Sequence, residues 1–134
     1  MNTLQAQERG TSDDIVAGKR VLLVEDEALI TTLIVDLMED RGVVVIGPAA
    51  TLAHAIELAR TEVLDAAILD VNLGSETSFP VAGILRDRGV PFFYTTAFAN
   101  KTHPDVAGEA FLPKPYGIKQ LFQTLEEVLA RTYG

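Results

Sequence analysis

The feature that most constrains this chain is an alternation, repeated five times from Arg20 onward, of short apolar runs with longer segments of helical period. Short runs rich in Val, Ile, Leu and aromatic residues are typical of strands that are buried on both faces. The segments between them repeat apolar residues every three or four positions, as amphipathic helices do. This alternation predicts an α/β fold, namely a doubly wound five-stranded parallel sheet with helices on both faces.

The predicted strands are Val21 to Val24, Val43 to Ile46, Ala66 to Leu69, Pro91 to Thr95, and Phe111 with Leu112. The first helix has a stripe of apolar residues, which are Ile30, Leu33, Ile34, Leu37 and Met38. The last helix is predicted to run from Gly117 to Arg131 and to turn a similar stripe inward, which begins with Ile118 and Leu121. Little helical period is visible from Phe98 to Glu109, so we expect the fourth helix to be short or frayed.

Length and composition limit the classes of function. The chain of 134 residues fits one domain, and we expect residues 19–134 to form it behind a flexible polar tail of residues 1–18. No apolar run approaches the roughly 20 residues of a membrane span. Cysteine is absent, which excludes thiol chemistry and, with the polar tail, favours a cytoplasmic location. A net charge of −8 disfavours direct binding of nucleic acid.

Chemically versatile side chains stand where four of the predicted strands end. Glu25 and Asp26 follow the first strand, Asp70 ends the third, Thr96 follows the fourth and Lys114 follows the fifth. Each residue by itself has an ordinary explanation as a helix cap, a turn residue or a solvated charge. Because chemistry in an open parallel sheet collects at the carboxyl ends of the strands, the five residues together predict one shared site.

The charges of this predicted site need compensation. Three carboxylates at one sheet edge repel one another, each close pair by about 1 to 4 kcal/mol at the effective dielectric of a protein edge. Lys114 offsets one of these charges. A hard divalent ion with oxygen ligands can offset the rest, and Mg²⁺ suits a site that retains several waters. The sequence therefore predicts a Mg²⁺ site.

Four segments carry a resemblance to a known family, and they are Val21-Leu22-Leu23-Val24-Glu25-Asp26-Glu27, Leu69-Asp70-Val71-Asn72-Leu73, Thr95-Thr96-Ala97 and Leu112-Pro113-Lys114-Pro115. Over about residues 19 to 132 the chain resembles the receiver domains of response regulators. The resemblance implies a flavodoxin-like sheet with strand order 2-1-3-4-5. It also implies a phosphorylation-dependent switch of a two-component system rather than an enzyme that acts on other molecules.

The resemblance also implies a role for each site residue. Asp70 would accept the phosphoryl group and bind Mg²⁺ together with Glu25 and Asp26. The main-chain carbonyl of Asn72 would complete the metal shell.

Further roles implied by the resemblance concern the neighbouring strand ends. Thr96 and Lys114 would bind the phosphoryl oxygens, and Phe111 matches the aromatic switch position. The Lys114–Pro115 peptide bond would be cis.

The partners follow from the same resemblance. The phosphoryl group would come from a histidine kinase or a histidine phosphotransfer protein, and the signal would leave through protein contacts. The segments Phe79-Pro80-Val81-Ala82 and Gly89-Val90-Pro91-Phe92 look like the alphaproteobacterial receivers nicknamed FAT GUY, which are often paired with HWE-class kinases. That group has Phe-Ala-Thr-Gly-aromatic where this chain has Tyr94-Thr95-Thr96-Ala97-Phe98.

Three other classes of protein remain as alternatives. A phosphatase of the haloacid-dehalogenase class also uses Mg²⁺ and a phosphoaspartate, but its nucleophile follows the first strand within an Asp-x-Asp pair. A nucleotide-binding module would need a glycine-rich loop after the first strand, which this sequence lacks. A scaffold that is never phosphorylated would have no use for the acids and the lysine at the strand ends.

Overall fold

The apolar runs form strands, and within the described residues the segments after the first, second, third and fifth of them contain helices, as predicted. The computed structural model describes residues 15–97 and 109–131. The strands, in chain order, are β1 (Arg20–Val24), β2 (Val44–Ala49), β3 (Ala66–Asp70), β4 (Asn72–Leu73), β5 (Glu76–Thr77), β6 (Phe92–Thr96) and β7 (Phe111–Pro113). The helices are α1 (Ala28–Asp40), α2 (Leu52–Thr61), α3 (Phe79–Arg88) and α4 (Ile118–Ala130).

The main sheet has five parallel strands in the order β2-β1-β3-β6-β7. Counted along the main sheet, this is the predicted order 2-1-3-4-5, so the predicted fold class is confirmed. The chain leaves β1 toward β2 on one side and returns to β3 on the other. The strand order therefore reverses between β1 and β3, where ligands bind in sheets of this kind.

The sheet separates two apolar cores. Successive residues of β1 point to opposite faces, so that Leu22 joins the core under α2 and α3 while Leu23 joins the core under α1 and α4. Every residue of β3 and of β6 is buried, as expected for strands covered on both faces. The prediction of helices on both faces is therefore confirmed.

Two apolar side chains at the edge of the predicted stripes lie at the surface. Ile34 and Met38 of α1 are buried, but Leu33 is 60% exposed. The predicted inward position of Ile118 is wrong, because this first residue of α4 is 39% exposed. The apolar stripes of α1 and α4 are wider than the part of each helix that the sheet covers. Leu33 and Ile118, at the margins of these stripes, therefore remain in contact with solvent.

A short antiparallel hairpin of β4 and β5 stands where the sequence predicted only a loop through Gly74. Gly74 lies in its turn with a φ of +62°, in the left-handed region that favours glycine. The N–H of Gly74 donates a hydrogen bond of 3.0 Å to Oδ2 of Asp26. The hairpin is thereby fastened to the carboxyl end of β1.

Residues 15–18, which we assigned to the N-terminal tail, take part in the packed structure. Val16 is fully buried in the core under α1 and α4, and the N–H of Gly18 donates to the carbonyl of Gly42 at 2.7 Å. The rest of the predicted tail, residues 1–14, lies outside the described residues. So does most of the segment in which we expect a short or frayed fourth helix, residues 98–108. Among the helices that the structure describes, none is long and apolar enough to span a membrane.

The burial of α1 gives a first prediction. Met38→Ala should lower the free energy of unfolding by about 2 to 5 kcal/mol, because it opens a cavity in a closed core. Leu33→Ala, in the same helix and in the same predicted stripe, should change it by less than about 0.5 kcal/mol, because Leu33 is mostly solvated. Urea unfolding followed by far-ultraviolet circular dichroism measures both variants. Similar losses in the two variants would contradict the burial described here.

Candidate functional site

The carboxyl ends of the central strands bring the predicted residues together. Val24 of β1 is the register partner of Leu69 of β3, so the next residues, Glu25 and Asp70, end up side by side. On the other side of β3, Asp70 is the partner of Thr95 of β6. Asp70 thus lies between the acids that follow β1 and the threonines that end β6.

Lys114 reaches this edge from the end of β7. Its Nζ lies 2.9 Å from Oε1 of Glu25, 3.0 Å from Oδ2 of Asp70 and 3.3 Å from Oε1 of Glu27. The main-chain N–H of Lys114 donates to the carbonyl of Thr96 at 2.8 Å, which fixes the lysine to β6. The Lys114–Pro115 peptide bond is cis, as predicted. A mostly buried ammonium therefore bridges carboxylates that come from separate elements.

Glu25, Asp26 and Asp70 form an acidic cluster. Each offers a carboxylate oxygen, and these oxygens all lie within 4.8 Å of one another. Glu25 and Asp70 are buried, whereas Asp26 is exposed at the mouth. Hard oxygen donors in this arrangement suit Mg²⁺, so the residues present fit the predicted cofactor.

Main-chain N–H groups hold the carboxylates in place. Oδ1 of Asp70 accepts from the N–H of Asn72 at 3.3 Å, and Oε2 of Glu25 accepts from the N–H of Glu27 at 3.2 Å. The peptide after Asp70 is therefore folded against its carboxylate, which brings the main chain of Asn72 close to the acidic cluster.

The electrostatics of the site show an excess of negative charge. Burial raises the pKa of Glu25 to about 7, against the hydrogen bond from Lys114 and with the help of the negative charge of Asp70. Burial alone would lower the pKa of Lys114, but its hydrogen bonds to Glu25 and Asp70 outweigh that effect and raise it. Burial, followed by the charge of Glu25, raises the pKa of Tyr116 to about 12. Added positive charge at this edge would stabilise the ionised form of Glu25 and lower its pKa.

Thr96 and Phe111 lie on the two strands next to Asp70. Thr96 ends β6 and is buried, one residue beyond the register partner of Asp70. Phe111 of β7 is half-buried and pairs with Tyr94 of β6, packing on the core under α2 and α3. The structure thus places both residues along the strands that lead to the site.

The sequence reasoning gave no role to two residues that contact the site. Glu27 binds Lys114, and Gly74 donates to Asp26. Glu27 directly follows the acid pair Glu25-Asp26 in the sequence, and this adjacency indicates that its carboxylate lies close to the site. The two-residue Gly74-Ser75 connection is likewise typical of a tight hairpin.

An apolar groove adjoins the site between α1 and the start of α4. Its volume is about 470 Å³. Glu27 and Lys114 line it together with Ala97 and a set of mostly apolar residues, which are Ile30, Leu33, Ile34, Leu37, Pro115, Tyr116 and Ile118. The two surface residues Leu33 and Ile118 therefore face the same depression, which opens directly beside the ammonium.

Comparison with known proteins agrees with this geometry. The sequence profile of the response regulator receiver domain matches residues 21–126. Among curated proteins, the chain is similar to the transcriptional regulatory protein PdtaR of Mycobacterium tuberculosis, with 30% identity over 126 residues. The match covers 90% of this chain and 62% of PdtaR, so the chain spans less than two thirds of that relative.

Solved structures share the fold. The solution structure of SdrG from Sphingomonas melonis Fr1 has a TM-score of 0.72 and 33% identity, and the match covers 84% of this chain and 96% of SdrG. The receiver domain of the sensor histidine kinase PA1611 from Pseudomonas aeruginosa PAO1 has a TM-score of 0.71 and 24% identity, covering 85% of this chain and 99% of that domain. That crystal structure holds a magnesium ion coordinated in its active-site cleft.

The sheet order defines a flavodoxin-like α/β domain, and the acidic cluster with its lysine marks the carboxyl edge of the sheet as its site. The chain belongs to the response regulator receiver domain family. Receiver domains of this family are signalling proteins of two-component systems that bind Mg²⁺ in an acidic active site and receive phosphoryl groups from histidine kinases or phosphotransfer proteins. Asp70 is the last residue of the third strand of the main sheet, whereas the nucleophile of the phosphatase alternative follows the first strand.

The raised pKa of Glu25 predicts how stability depends on pH in metal-free protein. The folded state binds the Glu25 proton more tightly than the unfolded chain does, so the stability from this group is complete below about pH 4.5 and is lost as the pH rises through about 7. Glu25→Gln removes this titration. As the pH rises from about 4.5 to about 7, the free energy of unfolding of this variant should therefore fall by on the order of 1 to 3 kcal/mol less than that of the wild type.

Urea unfolding at a series of pH values, with a chelator present, measures the effect. Glu57→Gln, which removes an exposed acid of α2, should keep the wild-type slope. An unchanged slope in Glu25→Gln would show that burial does not raise the pKa of this carboxyl.

Proposed function

We propose that this domain is a phosphorylation-dependent switch in which Asp70 accepts a phosphoryl group from a histidine kinase or a histidine phosphotransfer protein, in a Mg²⁺-dependent reaction. The observation that carries the proposal is the contact of 3.0 Å between Oδ2 of Asp70 and Nζ of Lys114, inside the acidic cluster at the end of the central strand. The change would be relayed through protein contacts.

The position of Asp70 favours it over the neighbouring acids as the phosphoacceptor. Burial and hydrogen bonding do not distinguish Glu25 from Asp70, because each is buried and uses one oxygen for Lys114 and the other for a main-chain N–H. Asp26 lies at the rim and accepts from Gly74. Asp70 lies between the acid pair on one side and the end of β6 on the other, where groups from both sides can reach the transferred phosphoryl group.

The chemistry requires little beyond positioning. A carboxylate oxygen of Asp70 attacks phosphorus, the bond from phosphorus to the donor imidazole nitrogen breaks, and an acyl phosphate forms. The Lys114 ammonium and the Thr96 hydroxyl stabilise the negative charge of the phosphoryl oxygens. Attack of water on the acyl phosphate would later release phosphate and reset the switch.

The acidic cluster supports the proposed metal requirement. Glu25, Asp26 and Asp70, with the main-chain carbonyl of Asn72, would hold Mg²⁺, which supplies positive charge beside the transferring group. Oxygens within 4.8 Å of one another and the raised pKa of Glu25 support this assignment.

The apolar groove supports a docking position for the phosphodonor. It is continuous with the site, because Glu27 and Lys114 line both. An amphipathic helix of the kinase or phosphotransfer protein, laid into this groove with its histidine toward Asp70, would cover Leu33 and Ile118. Exposed aliphatic side chains beside the reacting carboxylate support this occupant.

The subgroup of receivers, the class of kinase and the switch residues are proposed from sequence motifs. The segments around Phe79 and Val90 support membership of the FAT GUY group and therefore an HWE-class kinase as the donor. Thr96 and Phe111 would form the switch pair, because one ends β6 and the other lies on the adjoining β7. The domain boundaries and the cytoplasmic location stay predictions.

Asp70→Asn should abolish labelling by acetyl phosphate with Mg²⁺, because it removes the nucleophilic oxygen and keeps the shape of the side chain. Phosphate-affinity electrophoresis and intact-protein mass spectrometry measure the product. Asp87→Asn, which changes an exposed acid of α3, should label as the wild type does. Full labelling of Asp70→Asn, or a phosphoryl group mapped to another residue, would overturn the assignment.

Leu33→Asn should slow phosphotransfer from the cognate histidine protein about tenfold or more, because it places a polar amide in the docking groove. Labelling by acetyl phosphate should stay within about twofold of wild type, since that small donor needs no docking surface. Val63→Asn, at another exposed aliphatic residue outside the groove, is the matched control and should leave both rates unchanged. Equal phosphotransfer by Leu33→Asn and wild type would place the donor elsewhere.

A further inference from the structure

The ammonium of Lys114 has a third carboxylate partner besides the two that the proposed function uses. Oε1 of Glu27 lies 3.3 Å from Nζ, on the outer side of the site. The side chain of Glu27 is 58% exposed, whereas those of Glu25 and Asp70 are 2% and 8% exposed. Lys114 therefore sits between a buried pair of acids and one exposed acid.

Glu27 occupies a position where a side chain ordinarily serves the helix. It is the N-cap residue of α1, in an extended conformation with φ −88° and ψ 107°, but its side chain makes no cap hydrogen bond. N-cap side chains usually accept from the free N–H groups of the first turn. Here the carboxylate reaches Lys114 instead, and a substitution that changes only its charge leaves no capping bond to break.

Glu27 also lies outside the acidic cluster. The oxygens that fall within 4.8 Å of one another belong to Glu25, Asp26 and Asp70. Glu27 contacts the Lys114 ammonium, which is the cation that the proposed function assigns to the phosphoryl oxygens. A phosphoryl group carries about −1.5 to −2 charge near neutral pH, so it and the Glu27 carboxylate compete for one ammonium and repel each other.

We propose that Glu27 is a positioning residue whose carboxylate competes for the Lys114 ammonium and thereby lowers the affinity of the site for a phosphoryl group on Asp70. This inference rests on the proposed function. The chain thus has a built-in electrostatic brake, a carboxylate whose removal favours the phosphorylated state. The Glu27 carboxylate of this ion pair is mostly exposed to solvent, so salt weakens the brake.

Beryllofluoride, a mimic of the phosphoryl group, tests the proposal on the full chain at Mg²⁺ concentrations that saturate every variant. Glu27→Gln keeps the size and hydrogen-bonding capacity of the side chain and removes its charge. It should bind beryllofluoride about two- to fivefold more tightly than wild type at low ionic strength, as expected for an exposed ion pair. Two-dimensional NMR of the amides of Gly74 and Lys114 gives the dissociation constants.

A matched control removes the same charge from an ion pair of the same length. Glu126→Gln breaks the contact of 3.3 Å between Glu126 and Arg41, which is the C-cap residue of α1 and so lies at the other end of that helix from Glu27. It should bind beryllofluoride as wild type does, which separates a local effect from the change in net charge. The gain of Glu27→Gln should also shrink toward onefold as salt rises, a trend that a rearranged loop would not show.

The outcomes separate the two proposals. If wild type binds beryllofluoride and Glu27→Gln binds it equally or more weakly, or with a gain that is independent of salt, Glu27 is not a brake and the proposed function stands. If Glu126→Gln shows the same gain as Glu27→Gln, net charge explains the effect and the inference fails. If wild type neither binds beryllofluoride nor becomes labelled at Asp70, the proposed function fails and the inference fails with it.

Discussion

The buried ammonium of Lys114 is the interaction on which this sheet edge depends. Parallel pairing of β1 with β3 brings the carboxyl groups of Glu25 and Asp70 together in a place with little solvent. Burying charged groups without partners costs several kcal/mol each, so the edge is stable only with a cation close by. Lys114 provides it from the opposite edge strand, across β6, and its own main chain is fixed to Thr96. One side chain therefore couples β1, β3 and β7.

Much of the fold and most of the acidic site could be predicted from the sequence, for a physical reason. Strands buried on both faces need continuous apolar runs, and runs such as that from Ala66 to Leu69 have few other interpretations. Parallel strands all end at the same edge, so residues far apart in the chain, such as Glu25 and Lys114, could be assigned to one site from strand order alone. Their convergence follows from topology and needs no knowledge of side-chain geometry.

The features that could not be predicted depend on tertiary contacts that leave little trace in local patterns. Periodicity shows that Leu33 and Ile118 lie on apolar faces, but the width of the neighbouring sheet decides how much of each face is covered. The strands β4 and β5 have two residues each, too few for any period to be visible. The hydrogen bond from Gly74 to Asp26 spans 48 residues of sequence and depends on where the hairpin folds back.

The separation of the two cores by the sheet has a consequence for how such a domain can diverge. Because adjacent residues of β1 serve opposite cores, a substitution among the buried residues of α1 or α4 changes the contacts of one core directly, whereas α2 and α3 pack against the other face of the sheet. Leu33 and Ile118, which line the groove from α1 and α4, belong to neither core and can change without repacking the sheet. The surface beside the site can therefore vary while the packing that positions Asp70 stays the same.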